Sequence, residues 1–298
     1  MTGKKPGPGD YGLLLALAAI WGSSFLFIKL SVETVPAASA TAIRLAIAAL
    51  VMSVVAFHAR QSIPRDARIW GLILLAGLFG NAAPFTLISW GEEVIDSGLA
   101  AILMAVMPLT TVLLAHFLFA DERATITKAI GVIFGIAGLV VLIGPQKLFQ
   151  LGDNTVRQLA VAAAAACYGI NAVVTRSLMG LPHRALAAAI LTASFVMLVP
   201  FALYVDRPWT VVPSALSLSS IVILAIAQTV IATFMMFAII ARQGASFFSQ
   251  INFLVPLFGV FWGVVLLAEH PPGDAYIALA LILIGIAIAR RSRPAAQE

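Results

Sequence analysis

The chain has 298 residues, of which 61% are hydrophobic and only 10% charged, with a mean hydropathy of +1.04. Soluble domains carry about 25% charged residues, so this composition excludes a soluble globular fold and a disordered chain and puts most of the sequence in lipid. The net charge of +5 lies between apolar segments, where it marks membrane orientation and not a nucleic-acid surface.

Apolar segments of about 20 residues, enough to cross a hydrocarbon core of about 30 Å, recur from end to end. They predict ten helices, at 11–30, 37–57, 69–90, 97–119, 126–144, 158–178, 185–205, 217–240, 246–268 and 274–290. The first follows Lys4 and Lys5 and shows no clear small-x-small cleavage site ahead of Lys29, so it reads as a span and not a leader. Trp21, Gly22, Ser23 and Ser24 cut a polar notch into its middle. Lys29, near its exit, either anchors at the interface or attracts a substrate carboxylate.

Arg44 lies inside the outer end of the second helix. Its charge must snorkel outward or find a partner such as Glu33 or an unpaired carbonyl, which favours a structural role. In the third helix, the run from Gly77 to Pro84 sets two glycines and a proline around Asn81. That pattern predicts a kink that turns backbone groups toward a cavity. Phe79 and Phe85 offer apolar walls there, and Trp90, at the outer end, reads as part of an interfacial belt. Met104, Met107 and Pro108 follow in the fourth helix; flexible methionines suit a surface that accepts several shapes, although packing is their commoner use. Gly131, Gly135 and Gly138 in the fifth read as close helix packing.

The sixth helix carries Tyr168, Gly169 and Asn171, and the single Cys167, which rules out an intrachain disulfide. Gln228 lies in the eighth. In the ninth, Ser249, Gln250, Asn252 and Pro256 follow Phe247 and Phe248 and precede or flank Phe253. Gln250 and Asn252 are about 200° apart on a helix, so at most one is central. Pro84, Pro108 and Pro256 are the candidate kinks or gates. An amide deep in lipid must be partnered or face water, so Asn81 and Gln228 either line a pocket or make interhelical hydrogen bonds worth about 0.6 kcal/mol each; both uses stay open.

The same pattern occurs twice. An offset of 147 residues takes Trp21-Gly22 to Tyr168-Gly169, Ser24 to Asn171, Lys29 to Arg176, Asn81 to Gln228, Glu122 to Glu269 and Gly138 to Gly285, and an offset of 148 takes Pro108 to Pro256. Residues 1–145 and 146–298 therefore read as two copies of one five-helix unit. Because five is odd, the second copy enters from the opposite side, giving inverted repeats with a substrate site near the midplane. With both termini cytoplasmic, 13 Lys and Arg residues fall on inside segments and 4 on outside ones. The fold class expected is an all-α integral membrane protein of ten transmembrane helices in two inverted halves.

The Trp-Gly-Ser-Ser notch, the proline-centred fourth and ninth helices, the glutamate after each and the glycine-rich fifth helix resemble the drug/metabolite transporter superfamily, in particular its ten-helix EamA-type members. The chain is also similar to the aromatic amino-acid exporter branch. That resemblance implies efflux of amino acids and related metabolites across a bacterial inner membrane. The substrate-binding candidates are then Trp21, Ser24, Phe79, Asn81, Phe85, Met104, Tyr168, Asn171, Gln228, Gln250, Asn252 and Phe253.

No zinc-binding His-Glu-x-x-His pair, phosphate-cradling loop or paired intramembrane carboxylate occurs in the sequence. The expectation is a transporter and not an enzyme, with no metal and no cofactor. Its partners are a small-molecule substrate and the lipid bilayer. Uptake, ion coupling and facilitated diffusion stay open, as does the oligomeric state.

Overall fold

The computed structural model describes residues 6–118, 126–143 and 153–290. The expected boundary at 145–146 lies outside them, as do Lys4, Lys5, Glu122, Arg123, Lys147, Arg291 and Arg293. Among the described residues the ordered elements are all helical: α1 Pro8–Val32, α2 Ala37–His58, α3 Ala67–Gly77, α4 Ala83–Glu92, α5 Ser97–Met104, α6 Met107–Leu118, α7 Ile126–Ile143, α8 Asp153–Arg176, α9 His183–Val205, α10 Ala215–Ile223, α11 Ala232–Phe248, α12 Ile251–Leu266 and α13 Gly273–Arg290. Seven stretches are long and apolar enough to cross a membrane, with α3–α4, α5–α6 and α10–α11 each counting as one, and three shorter apolar helices cover Ala129–Leu142, Ile251–Leu266 and Gly273–Ala289. Large apolar side chains such as Phe57, Ile126, Tyr204 and Val212 are exposed on the outside, as a lipid-facing surface requires.

The expected third, fourth and eighth helices are interrupted where polar or proline residues sit. α3 and α4 join through a π-helical turn, Leu78–Ala82, and α10 and α11 through another, Leu224–Ile231. Asn81 and Gln228 lie within these two wide turns. In the first, the Pro84 ring would crowd the Gly80 carbonyl in a regular helix, and the wider turn relieves that clash. Ile231 stands at the second turn's equivalent position, so proline is not the common cause. The expected helix 97–119 breaks at Ala105 and Val106, and Pro108 takes the second position of α6, where a missing N–H costs nothing. Gly244, with φ of +81°, bends α11 in a conformation that residues with a Cβ rarely adopt.

Glycines set the helix crossings. A Cβ on Gly22 would lie 2.5 Å from Phe258 Cβ and 2.9 Å from the Gly259 nitrogen, so α1 crosses α12 backbone to backbone. A Cβ on Gly169 would lie 3.0 Å from Leu114 Cδ1 and 3.3 Å from the Thr111 nitrogen, which is the crossing of α8 with α6. α7 and α13 meet at Gly131 and Gly285, each of whose added Cβ would be 2.6 Å from the other's carbonyl oxygen. α2 and α9 pack through alanines, including Ala42, Ala49, Ala185 and Ala188. Small residues let these backbones approach where no hydrophobic drive separates helix from lipid. After α12, Glu269 accepts hydrogen bonds from the N–H groups of Ser97 (2.7 Å) and Gly98 (2.8 Å). Its carboxylate thereby caps the N-terminus of α5, an arrangement the helix dipole favours.

Candidate functional site

The breaks and wide turns surround a cavity of about 400 Å³, within the range of roughly 300–1,000 Å³ typical of small-molecule pockets. Four residues of α1 face it: Trp21, Ser24, Phe25 and Ile28. Their i, i+3, i+4, i+7 spacing is one stripe of a helix, so Phe25 and Ile28 were readable from Trp21. Gly80 and Asn81 come from the first wide turn, Phe85 and Ile88 from α4, and Met104, Met107 and Pro108 from either side of the break between α5 and α6. Tyr168 enters from α8, Gln228 and Thr229 from the second wide turn, Thr233, Met236 and Phe248 from α11, and Asn252, Val255 and Pro256 from α12. Both halves of the chain contribute.

Each repeat-related amide lines the cavity and also bonds a neighbouring helix, so the two open uses coincide. Asn81 donates from Nδ2 to Ser194 Oγ on α9 (3.3 Å), and Ser194 in turn donates to the carbonyls of Ile190 (2.7 Å) and Gly77 (3.0 Å). Gln228 donates from Nε2 to Ser23 Oγ (3.2 Å), while its backbone carbonyl accepts from Trp21 Nε1 (3.2 Å). The Gln228 Oε1 atom is buried with no partner among the described residues. Trp21 also meets Phe248 edge to face, with ring centroids 6.0 Å apart, which fixes the indole as part of the wall.

Four of the expected contact residues lie off the cavity lining. Phe79 precedes Gly80 and Asn81 on the first wide turn, and those two take the inner face. Asn171 packs its carboxamide on Gly80, where an added Cβ would come within 2.8 Å of Asn171 Cγ. Gln250 occupies the turn ahead of α12 while Asn252 faces in, as their angular separation requires. Phe253 packs against a cluster containing Ile102, Val106 and Leu109. Of the prolines, Pro108 and Pro256 line the cavity, and Pro84 is buried near the start of α4, behind the lining.

The two cations differ from expectation in opposite ways. Lys29 does not reach the cavity: its ammonium donates to the carbonyls of Glu92 (2.7 Å) and Ile95 (2.8 Å), capping the end of α4. Arg44 neither snorkels outward nor meets Glu33. It is 6% exposed and lines the cavity, with Nε donating to Thr229 Oγ1 (3.1 Å) and the guanidinium carbon 3.8 Å from the centre of the Phe85 ring. Sequence reasoning missed Thr229 as well, although it follows Gln228 directly. At the C-terminal end of α4, Arg157 lies over the Trp90 ring and pairs with Glu93 at 2.7 Å.

The lining thus combines aromatic and thioether walls, three amides, three hydroxyl-bearing aliphatic side chains, one tyrosine and one guanidinium. Among the described lining residues there is no carboxylate. Such a chamber can enclose a small molecule that has an apolar body and a polar head.

Comparison with known proteins gives a consistent family. The sequence matches the EamA-like transporter family twice, over residues 10–144 and 157–291. It is similar to the Probable terminal-alkyne amino-acid exporter of Streptantibioticus cattleyicolor, at 27% identity over 93% of this chain and 92% of that one. It is likewise similar to the Probable amino-acid metabolite efflux pump of Escherichia coli K12, at 24% identity over 94% of each chain. The match to Protein PagO of Salmonella typhimurium, 32% identical, spans only 43% of this chain and 41% of that protein. A solved crystal structure superposes with a TM-score of 0.65 over 95% of this chain and 99% of the other at 22% identity, a likeness of fold.

Proposed function

This chain belongs to the EamA-like transporter family, a multi-pass membrane transporter family, and from that premise we propose that it exports amino acids with aromatic or large apolar side chains by alternating access through the central cavity. The observation that carries the substrate class is the lining itself: Trp21, Phe25, Phe85, Tyr168 and Phe248 surround a few polar groups in a space of about 400 Å³. Support for amino acids comes also from the names of the two full-length relatives, one an amino-acid exporter and the other an amino-acid metabolite efflux pump. The residues proposed to contact substrate are those facing the cavity: Trp21, Ser24, Asn81, Phe85, Met104, Tyr168, Gln228 and Asn252.

The architecture proposed is ten spans in two inverted five-helix halves, divided near residues 145 and 146, with both termini in the cytoplasm of a bacterial cell and the spans in its inner membrane. Support comes from the double family match, from the seven long and three shorter apolar helices, and from the 13-to-4 division of positive charge. Reporter fusions should report both termini and the segment around Arg65 as cytoplasmic. An external C-terminus would sink the orientation.

Flux of a labelled amino-acid panel from proteoliposomes, with and without imposed ion gradients, tests the function. Trp21→Ala and Tyr168→Ala should each reduce transport of phenylalanine and leucine about tenfold, while alanine and serine change less, because an apolar wall discriminates by about 1–3 kcal/mol per methylene-sized difference. Trp21→Phe, which keeps a ring and loses the bond to the Gln228 carbonyl, should retain the preference. An equal loss for phenylalanine, alanine and serine would mean that these rings support helix crossings and do not meet substrate.

A further inference from the structure

We propose that Arg44 is a carboxylate anchor: it holds a monoanionic carboxylate head in the central cavity while the apolar remainder of the ligand lies against the aromatic wall. The assignment rests on the cavity being the substrate site. It goes beyond that reading in naming the group that every ligand must carry and the side chain that reads it.

The first ground is an unbalanced charge. Arg44 is nine-tenths buried or more, and the described residues offer its guanidinium one hydrogen bond, from Nε to Thr229 Oγ1, and one aromatic face, that of Phe85. No carboxylate among the described residues lies within ion-pairing distance. The Nη1 and Nη2 groups make no hydrogen bond to a described residue, although guanidinium carries five N–H donors in a planar fork. A buried charge left unpaired is costly, and a two-oxygen anion is the partner whose shape that fork matches.

The second ground is that the side chain is held in place from behind. Thr229 donates its own hydroxyl proton to the Leu224 carbonyl (2.9 Å), so its oxygen is oriented to accept from Arg44 Nε. With Nε engaged and one face of the plane resting on Phe85, the Nη edge is what remains for a ligand.

The third ground comes from the repeat. At the offset of 147 residues, the positions equivalent to Arg44, Thr229 and Phe85 are Leu191, Ala82 and Ala232. All three are buried in apolar clusters. The same fold is therefore built at the twin site without a cation, its hydroxyl acceptor or its aromatic shelf. A requirement of helix packing common to both halves would not concentrate all three members on one side, whereas a single anion-binding spot beside the cavity would.

The test uses the full-length protein in lipid nanodiscs and four probes that share one ring: phenylalanine, 3-phenylpropionate, phenylalaninamide and 2-phenylethylamine. Wild-type protein should bind the two carboxylates about 10- to 100-fold more tightly than the two compounds lacking one, the range expected for hydrogen bonds to a charged group. In Arg44→Gln, affinity for the carboxylates should fall to that of the amide, and affinity for the amide should stay at its wild-type value. Arg44→Lys, which keeps the charge and loses the fork, should fall between.

Equal wild-type affinity for phenylalanine and phenylalaninamide would overturn the anchor and leave the amino-acid reading standing. An equal loss for all four probes in Arg44→Gln would assign Arg44 to packing and overturn it too. Wild-type protein that binds none of the four would overturn the amino-acid reading and the anchor with it. If Arg44→Gln does not fold, Arg44→Lys takes its place: a carboxylate preference in that variant equal to the wild-type one would overturn the anchor, and a reduced one would support it.

Discussion

Replacement of Lys29 by methionine is expected to lower the stability of the folded protein by about 3–6 kcal/mol, from the loss of two hydrogen bonds to a charged donor. The ammonium of Lys29 reaches across from α1 and satisfies the Glu92 and Ile95 carbonyls at 2.7 and 2.8 Å, at a helix end where a positive charge also meets the dipole favourably. Methionine keeps the length of the stem and offers no donor, so two carbonyls lose their partner. Beside them, the Glu92 carboxyl is fully buried and has no hydrogen-bond partner among the described residues. Thermal unfolding in detergent should shift down by on the order of 10 °C, and Lys29→Arg should recover most of it. The protein that remains folded should bind phenylalanine as wild type does. Unchanged unfolding with weakened phenylalanine binding would return Lys29 to the substrate path.

Lys29 and Arg44 show where the sequence ceases to be legible. Both cations are plain to see within apolar segments, and desolvation alone requires each to be partnered. Which partner is chosen depends on helix crossings that no periodicity encodes. Lys29 meets carbonyls made available by the end of another span, and Arg44 meets a threonine 185 residues away. The all-helical class, the seven long apolar stretches and the positions of Trp21, Asn81, Tyr168 and Gln228 on the cavity lining were legible, because lipid imposes a length and the duplicated pattern marks polar positions twice. The π-helical turns were legible only as disturbance: Gly77, Gly80 and Pro84 announce a break but do not say whether the backbone kinks or widens, and in the fold it widens, with the Ser194 hydroxyl of α9 on the Gly77 carbonyl just before the turn. Phe79 lies off the lining for a similar reason, whereas Asn171, three residues on from Tyr168, is packed against Gly80. A residue beside a cavity-facing position is close in sequence, yet one step along a helix turns the side chain by about 100°.

Gly22→Leu is expected to remove nearly all transport and most of the folded protein, whereas Gly12→Leu on the same helix should behave as wild type. A glycine lets a ligand or a backbone approach closely, and at Gly22 the backbone takes that space. A Cβ there would meet Phe258 Cβ at 2.5 Å, the Gly259 nitrogen at 2.9 Å and the Phe258 carbonyl carbon at 3.0 Å. Two of these are main-chain atoms of α12, which cannot rotate aside as a side chain can, so relief requires the helices to separate. Overpacking of a close-packed site costs about 1–3 kcal/mol when side chains can adjust, and a backbone-to-backbone clash lies at or above the top of that range. Separation would also displace Trp21 from the Gln228 carbonyl and move Asn252 and Pro256, on α12, away from the α1 stripe, so the cavity loses two facing walls at once. Among the described residues nothing lies within 4 Å of a Cβ added to Gly12, and leucine is an ordinary residue in a lipid-facing helix. Size-exclusion profiles of the two variants in one detergent, followed by phenylalanine flux on whatever elutes as folded protein, make the comparison. Normal flux and yield from Gly22→Leu would mean that the crossing of α1 with α12 is looser than its backbone contact requires.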